Sequence, residues 1–165
     1  MLEGSQFLET LEDGASEPEK LKERIGYRDP PVGVSLFSGA GGFDLGMTQA
    51  GFDVRVMVEN DETACKTLRM NMEAFDEHTE PEIIQDDIRE VSTKQILDAA
   101  DLQVGEATAV FGGPPCQGFS MAGDRDPGDE RNELYQEMVR VVNEAKPVHF
   151  VMENVKGWRL CRMEK

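Results

Sequence analysis

Apolar residues arrive in two kinds of segment. In short dense runs they are nearly continuous: VGVSLF (32–37), VRVMVE (54–59), EIIQDD (82–87), ATAVFGG (107–113) and VHFVMEN (148–154). Runs of this length, closed by glycine or acidic residues, suit strands covered on both faces in a parallel sheet. Between them lie GFDLGMTQAGF (42–52), NDETACKTLRMNMEAF (60–75), STKQILDAADL (92–102) and RNELYQEMVRVVNEAK (131–146), spaced as helices. Ala64, Leu68 and Met72 share one face of the second, where Asn60 or Asp61 is placed to cap; Ser92 caps the third and Pro147 stops the fourth. Strands alternating with helices predict βαβ units with right-handed crossovers, hence an α/β fold with a doubly wound, mostly parallel sheet. Residues 1–31 break this pattern. They are acidic and polar and close on DPP, which predicts a tail or docking arm, with EPEKLKERI (17–25) as a short helix. The folded unit is expected at 32–165, incomplete after its fifth strand.

Composition narrows the class. The 165 residues suffice for one domain. No apolar run approaches the roughly 20 residues of a membrane span. The first 20 residues lack the basic-then-apolar order of a secretory signal, so a cytoplasmic protein is expected. Cys65, Cys116 and Cys161 are odd in number and show no metal-ligand spacing, which predicts reduced thiols and no metal. Asp and Glu outnumber Lys and Arg by 33 to 17, a net charge of −16. Taken alone, that argues against nucleic acid, whose phosphates need clustered cations. A surface adapted to concentrated salt, where repulsion is screened within roughly 3 Å at 1 M, accounts for it and leaves the ligand open.

Parallel sheets bind ligands at the carboxyl ends of their strands, near the switch in strand order. Each unusual motif falls at such an end. FSGAGGF (37–43) offers Gly39, Gly41 and Gly42 for a sharp turn and close backbone approach. Glu59 closes the second strand, placed to accept from both hydroxyls of a ribose. Together they point to an adenosine-containing cofactor, with NAD and S-adenosylmethionine both open. Asp86, Asp87 and Ile88 close the third strand, an acid for an adenine amino group beside an apolar cover. In GGPPCQGFS (112–120) two prolines stiffen the chain ahead of Cys116 and present its thiol, and the polar stretch 121–131 reads as a loop able to close over a substrate. Glu153 closes the fifth strand toward the same crevice, where partial burial would favour its protonated form. Cys65 and Cys161 lack such settings and are assigned to packing or chance.

FSGAGGF, the acid of VEND, DDI, GGPPCQGFS and ENV, in this order, resemble the first six motifs of the cytosine-C5 DNA methyltransferases, over roughly residues 32–158. The resemblance implies the Rossmann-like fold of S-adenosylmethionine-dependent methyltransferases and methyl transfer to C5 of cytosine in DNA through a covalent bond from Cys116 to C6. It implies Glu153 as the second catalytic group. S-adenosylmethionine would lie against Phe37, Gly39, Ala40, Gly41, Gly42, Glu59, Asn60, Asp87, Ile88, Pro115 and Leu134. The target base would meet Pro114, Gln117, Ser120 and Asn154, flipped out of double-stranded DNA. Two positions depart from the family: Ser35 stands where Asp is common, and Asn60 where an aromatic often stacks. The family continues with a Gln-Arg-x-Arg motif, a target recognition domain and a last cofactor motif. None follows here, so a fragment, or half of a split enzyme needing a second chain, is expected. A non-catalytic remnant binding S-adenosylmethionine or a partner, and a tRNA-modifying relative, are the alternatives; a nicotinamide dehydrogenase gives Pro114–Cys116 and Glu153 no role.

Overall fold

The computed structural model describes residues 29–75, 80–115 and 134–153. Within them the order is β1 (Val32–Leu36), α1 (Gly42–Gln49), β2 (Asp53–Glu59), α2 (Glu62–Met70), a 3-10 turn (Met72–Ala74), β3 (Glu82–Gln85), α3 (Thr93–Ala99), β4 (Ala109–Gly112), α4 (Leu134–Ala145) and β5 (His149–Met152). The strands form one five-stranded sheet in the order β3-β2-β1-β4-β5, with every pairing parallel. The chain winds outward from β1 to β3, then crosses to β4 on the other side of β1. The switch point therefore lies between β1 and β4.

Two apolar layers cover the sheet. Val34, Leu36, Val56, Val58 and Val110 face one layer with Ile96 and Leu97 of α3 and Met138 and Val141 of α4. Val54, Met57, Ala109 and Phe111 face the other with Leu68 of α2 and Phe75. All five residues of β1 are buried, whereas the edge strands β3 and β5 are largely open. Full burial is worth about 1.5–3 kcal/mol for a Val, Leu or Phe side chain, so β1, β2 and β4 carry the sheet. Between Val54 and Val56 the register slips by one residue against β1. Arg55 is the extra residue of this bulge. Its Nε donates to Asp53 at 2.7 Å.

The helices stop earlier than the apolar spacing predicts, for local reasons. Gly51, at φ +90°, ends α1; Gly51 donates to Thr48 and Phe52 to Met47. Asp101, at φ +50°, ends α3 by the same pattern, with Leu102 donating to Leu97. Both are left-handed caps that return an apolar side chain to the core. The segment expected as one helix over 60–75 breaks at Asn71, whose side-chain amide takes the Thr67 carbonyl at 2.7 Å. Of the two capping candidates, Asp61 caps α2, accepting from Ala64 at 2.7 Å. Ser92 forms a reciprocal capping box with Gln95.

Candidate functional site

Beyond β1 the backbone makes an abrupt turn. Phe37 (φ +57°), Gly39 (φ +55°) and Gly41 (φ +86°) are all left-handed. For Phe37 that conformation is strained, the kind of local cost that concentrates at ligand sites. At Gly41 a Cβ would come within 2.7 Å of Leu68 and 3.2 Å of Phe75, so glycine is required there on two grounds. Above Gly39 and Gly42, by contrast, a Cβ would meet nothing within 4 Å. The turn therefore presents a bare backbone to open space. Glu59, at the end of β2, fixes it: Oε2 accepts from the Gly39 N–H at 2.8 Å, and Oε1 from those of Asn60 at 2.9 Å and Asp61 at 2.8 Å. Cys65 lies behind this corner, buried, with its thiol toward the Glu59 carbonyl at 3.5 Å. Burial, reinforced by the Glu59 charge, pushes that thiol up, which suits the packing role assigned to it.

A cleft of about 300 Å³ opens beside the turn, between the ends of β1 and β4. Ser35, Phe37, Ser38 and Asp44 form one wall, and Gly113 and Glu153 the other. Asp44, in the first turn of α1, is fully buried, and neither carboxylate oxygen has a hydrogen-bond partner among the described residues. The hydroxyls of Ser35 and Ser38 are its polar neighbours. They bond one another at 2.8 Å. Burial pushes the Asp44 carboxyl above the usual carboxylate range; the two serines pull against this, and the Glu59 charge adds to it. A depression of about 610 Å³ lies at the other end of the strands, around Arg55, Asp98 and Asp101. It is larger but holds none of the motif residues, so size does not decide the site.

On the β4 side the strands meet tightly. A Cβ on Gly112 would overlap the Leu36 carbonyl. Glu153 extends the ladder, its N–H donating to Gly112 at 2.9 Å. Its side chain folds over Gly113, where a Cβ would lie 3.0 Å from Oε2. The partial burial expected of Glu153 is not found: the residue is exposed, because β5 is an edge strand among the described residues. Pro114, buried, and Pro115, half-buried, lead on from Gly113. Cys116, Gln117, Ser120, loop 121–131, Asn154 and Cys161 fall outside the described residues, as does the tail up to residue 28.

The remaining predicted residues are more dispersed. Asp87 follows β3, and the Arg89 guanidinium grips both its oxygens, at 2.6 Å for Nη2–Oδ2. That contact holds the Asp87 carboxyl below the usual range. Ile88 departs from expectation. Its side chain is buried in the core, because Arg140 of α4 clamps the 88–91 carbonyls to that helix at 3.0 Å. Leu134 likewise packs on the core at the start of α4. Asn60 is exposed.

A profile of the C-5 cytosine-specific DNA methylases matches residues 32–164. The chain belongs to that family. Within it, the chain is similar to the Type II methyltransferase M.AquIA of Picosynechococcus, 50% identical over 125 residues, covering 75% of this chain and 48% of the relative. It is also similar to M1.HphI of Haemophilus parahaemolyticus, 43% identical, covering 74% and 32%. A crystal structure described as a DNA modification methyltransferase encoded within an E. coli prophage matches with a TM-score of 0.62 at 35% identity, over 77% of this chain and 32% of that one. The chain spans about half or less of the length of these relatives. The five-stranded parallel α/β fold is the one the family resemblance implies. Asp44 is the residue that reading by motif passes over. An acid in a first helical turn is ordinary by composition, and only its burial beside two serines sets it apart.

Proposed function

We propose that this chain forms the cofactor-binding and nucleophile-bearing part of a DNA cytosine-C5 methyltransferase. The observation that carries the reading is the convergence at one switch point of the glycine turn, Glu59 and Glu153, with Pro114–Pro115 leading directly to Cys116. The residues fit S-adenosylmethionine. Gly39, Ala40 and Gly42 offer an uncovered backbone, Gly41 makes the turn between them, Phe37 walls the cleft, and Glu59 retains lone pairs for a ribose. Asn60, Asp87, the Ile88 backbone, Pro115 and Leu134 would border the rest. When bound, S-adenosylmethionine supplies an electrophilic methyl group.

The chain's own part is to make cytosine able to take that methyl. C5 of cytosine is a weak nucleophile. The Cys116 thiolate would add to C6, forming an S–C6 bond and moving the electron pair toward C5. Glu153 would hold N3 and the exocyclic amine as charge shifts into the ring, and the Pro114 carbonyl would accept from the same amine. Gln117, Ser120 and Asn154 would steady the flipped base. After methylation a base removes the C5 proton, the S–C6 bond breaks and the thiolate is restored. An exposed Glu153 fits this order, since the base entering the cleft would itself desolvate the carboxyl. Residues 1–31 would lie outside this unit. Double-stranded DNA is the partner, in a restriction-modification setting and a cytoplasmic location. The segments absent from 32–165 would come from further sequence or from a second chain.

The test is trapping. With S-adenosylmethionine and duplex DNA carrying 5-fluorocytosine at candidate targets, together with any chain supplying the missing segments, a denaturant-stable protein–DNA adduct is expected. It should disappear in Cys116→Ser. Cofactor binding without any adduct would favour the non-catalytic reading, and an adduct only with tRNA would redirect the substrate.

A further inference from the structure

Arg140 of α4 directs most of its donors at one segment. Nη2 donates to the carbonyls of Ile88 and Val91, both at 3.0 Å, and Nη1 to the Thr93 hydroxyl at 3.1 Å. Nε donates to Glu137 at 2.7 Å, which steadies the guanidinium from its own helix. The segment it grips is the turn after β3, where Asp87 stands. Helix α3 does not need this support at its start, because Ser92 and Gln95 already cap it. Ile88 and Val91 are buried and hold the turn to the core. Apolar packing is non-directional, however. Bonds from a planar fork add a fixed orientation. Upstream, the Asp86 N–H donates to the Glu59 carbonyl at 3.1 Å, and within the turn the Glu90 N–H donates to the Asp87 carbonyl at 2.8 Å. Asp87 is thus anchored on one side to the strand that carries Glu59 and on the other to α4.

We propose that Arg140 is a positioning residue for cofactor recognition: by fixing the turn over 87–91 it holds the Asp87 carboxylate within reach of the adenine amino group, without itself touching the ligand. This rests on the cofactor reading above and adds a residue from a distant helix to it. Asp87 has room for that contact. A carboxylate offers about four acceptor positions. Arg89 fills three of them, with its backbone N–H, Nε and Nη2. One is left for an N–H of the base. Arg89 sets how the carboxylate is turned, and Arg140 sets where it stands. Lysine should replace Arg140 only in part, because a single ammonium cannot reproduce a fork that meets two carbonyls and a hydroxyl at once.

The test separates positioning from structural support by reading a preference between two ligands. Calorimetry on the full chain would compare S-adenosylhomocysteine with its analogue bearing hydrogen in place of the adenine amino group. The wild type should prefer the first by about 10- to 100-fold. In Arg140→Met, S-adenosylhomocysteine should lose most of that factor while the analogue weakens less than about threefold, so that the preference shrinks below about threefold. Arg140→Lys should keep an intermediate preference with an unchanged far-ultraviolet circular dichroism spectrum, and it reads the preference by itself if the methionine variant does not fold. Equal weakening of both ligands would make Arg140 a structural residue only and overturn the proposal. A preference of wild-type size in every variant that folds would overturn it as well. A wild type that binds both ligands equally overturns it too, yet leaves the cofactor reading standing. Binding of neither would remove the cofactor reading and the proposal together.

Discussion

The two sides of the switch point are built differently. On the β1–β2 side every element is held before a ligand arrives. Three left-handed residues shape the turn, and Glu59 ties it to the end of β2 by accepting from Gly39 with one oxygen while the other accepts from Asn60 and Asp61. On the β4–β5 side only the backbone is fixed. Gly112 is pressed against Leu36, but Glu153 is exposed at the end of a strand that is itself half open. Preorganisation on the first side would lower the ordering cost of binding a flexible ligand. Openness on the second is what a site needs if its substrate is a base delivered from outside and closed upon afterwards.

That contrast can be broken at its seam. Gly112→Ala would drive a methyl group into the Leu36 carbonyl, and there is no side chain to yield. A loss of about 3 kcal/mol or more is expected, read as a lowered urea midpoint or an insoluble chain. Glu153→Ala tests the open side. Its folding stability should change by no more than about 0.5 kcal/mol, while formation of the 5-fluorocytosine adduct slows by about 10²–10³. A large loss of stability would mean that the carboxylate is structural.

Glu59→Ala should do both things at once. The N–H groups of Gly39, Asn60 and Asp61 lose their acceptor, at a cost of about 1–2 kcal/mol, and cofactor affinity falls at least tenfold. If affinity fell with stability untouched, the wired character of this side would be refuted. The smallest effect is expected from Asp44→Asn in the absence of ligand. The folded-state pKa of Asp44 lies above its unfolded value, so ionisation penalises the folded protein. That penalty is complete above the folded pKa and absent below the unfolded one, the ordinary carboxylate value near 3.8. Asn removes it. The variant should therefore melt higher than the wild type in neutral and alkaline buffer, and the gap should close as pH falls toward 4.

Much of this was legible in the residues. Burial on both faces makes a strand's apolar run continuous, so β1, β2 and β4 stood out, and strand–helix alternation in a parallel sheet left few topologies. The glycine turn was legible because a left-handed turn demands particular residue types, and Glu59 because it is the acid that closes an apolar run. Three things were not. Helix ends depended on caps at Asp101 and Asn71, which are not glycine. The exposure of Glu153 depended on which strand lay at the edge, a property of sheet order rather than of MENV itself. The role of Ile88 depended on Arg140, more than fifty positions away, drawing the 88–91 carbonyls onto α4.

The slip at Arg55 has a consequence for Glu59. Side chains along a strand alternate, so one supernumerary residue reverses the phase of everything that follows it. Val54 and Met57 share a layer only because of that reversal. Were Arg55 deleted with the upstream pairing kept, Glu59 would swing to the far face of the sheet and leave the glycine turn untethered. Loops near this strand should therefore tolerate a one-residue change in length, whereas the segment from Val54 to Glu59 should not.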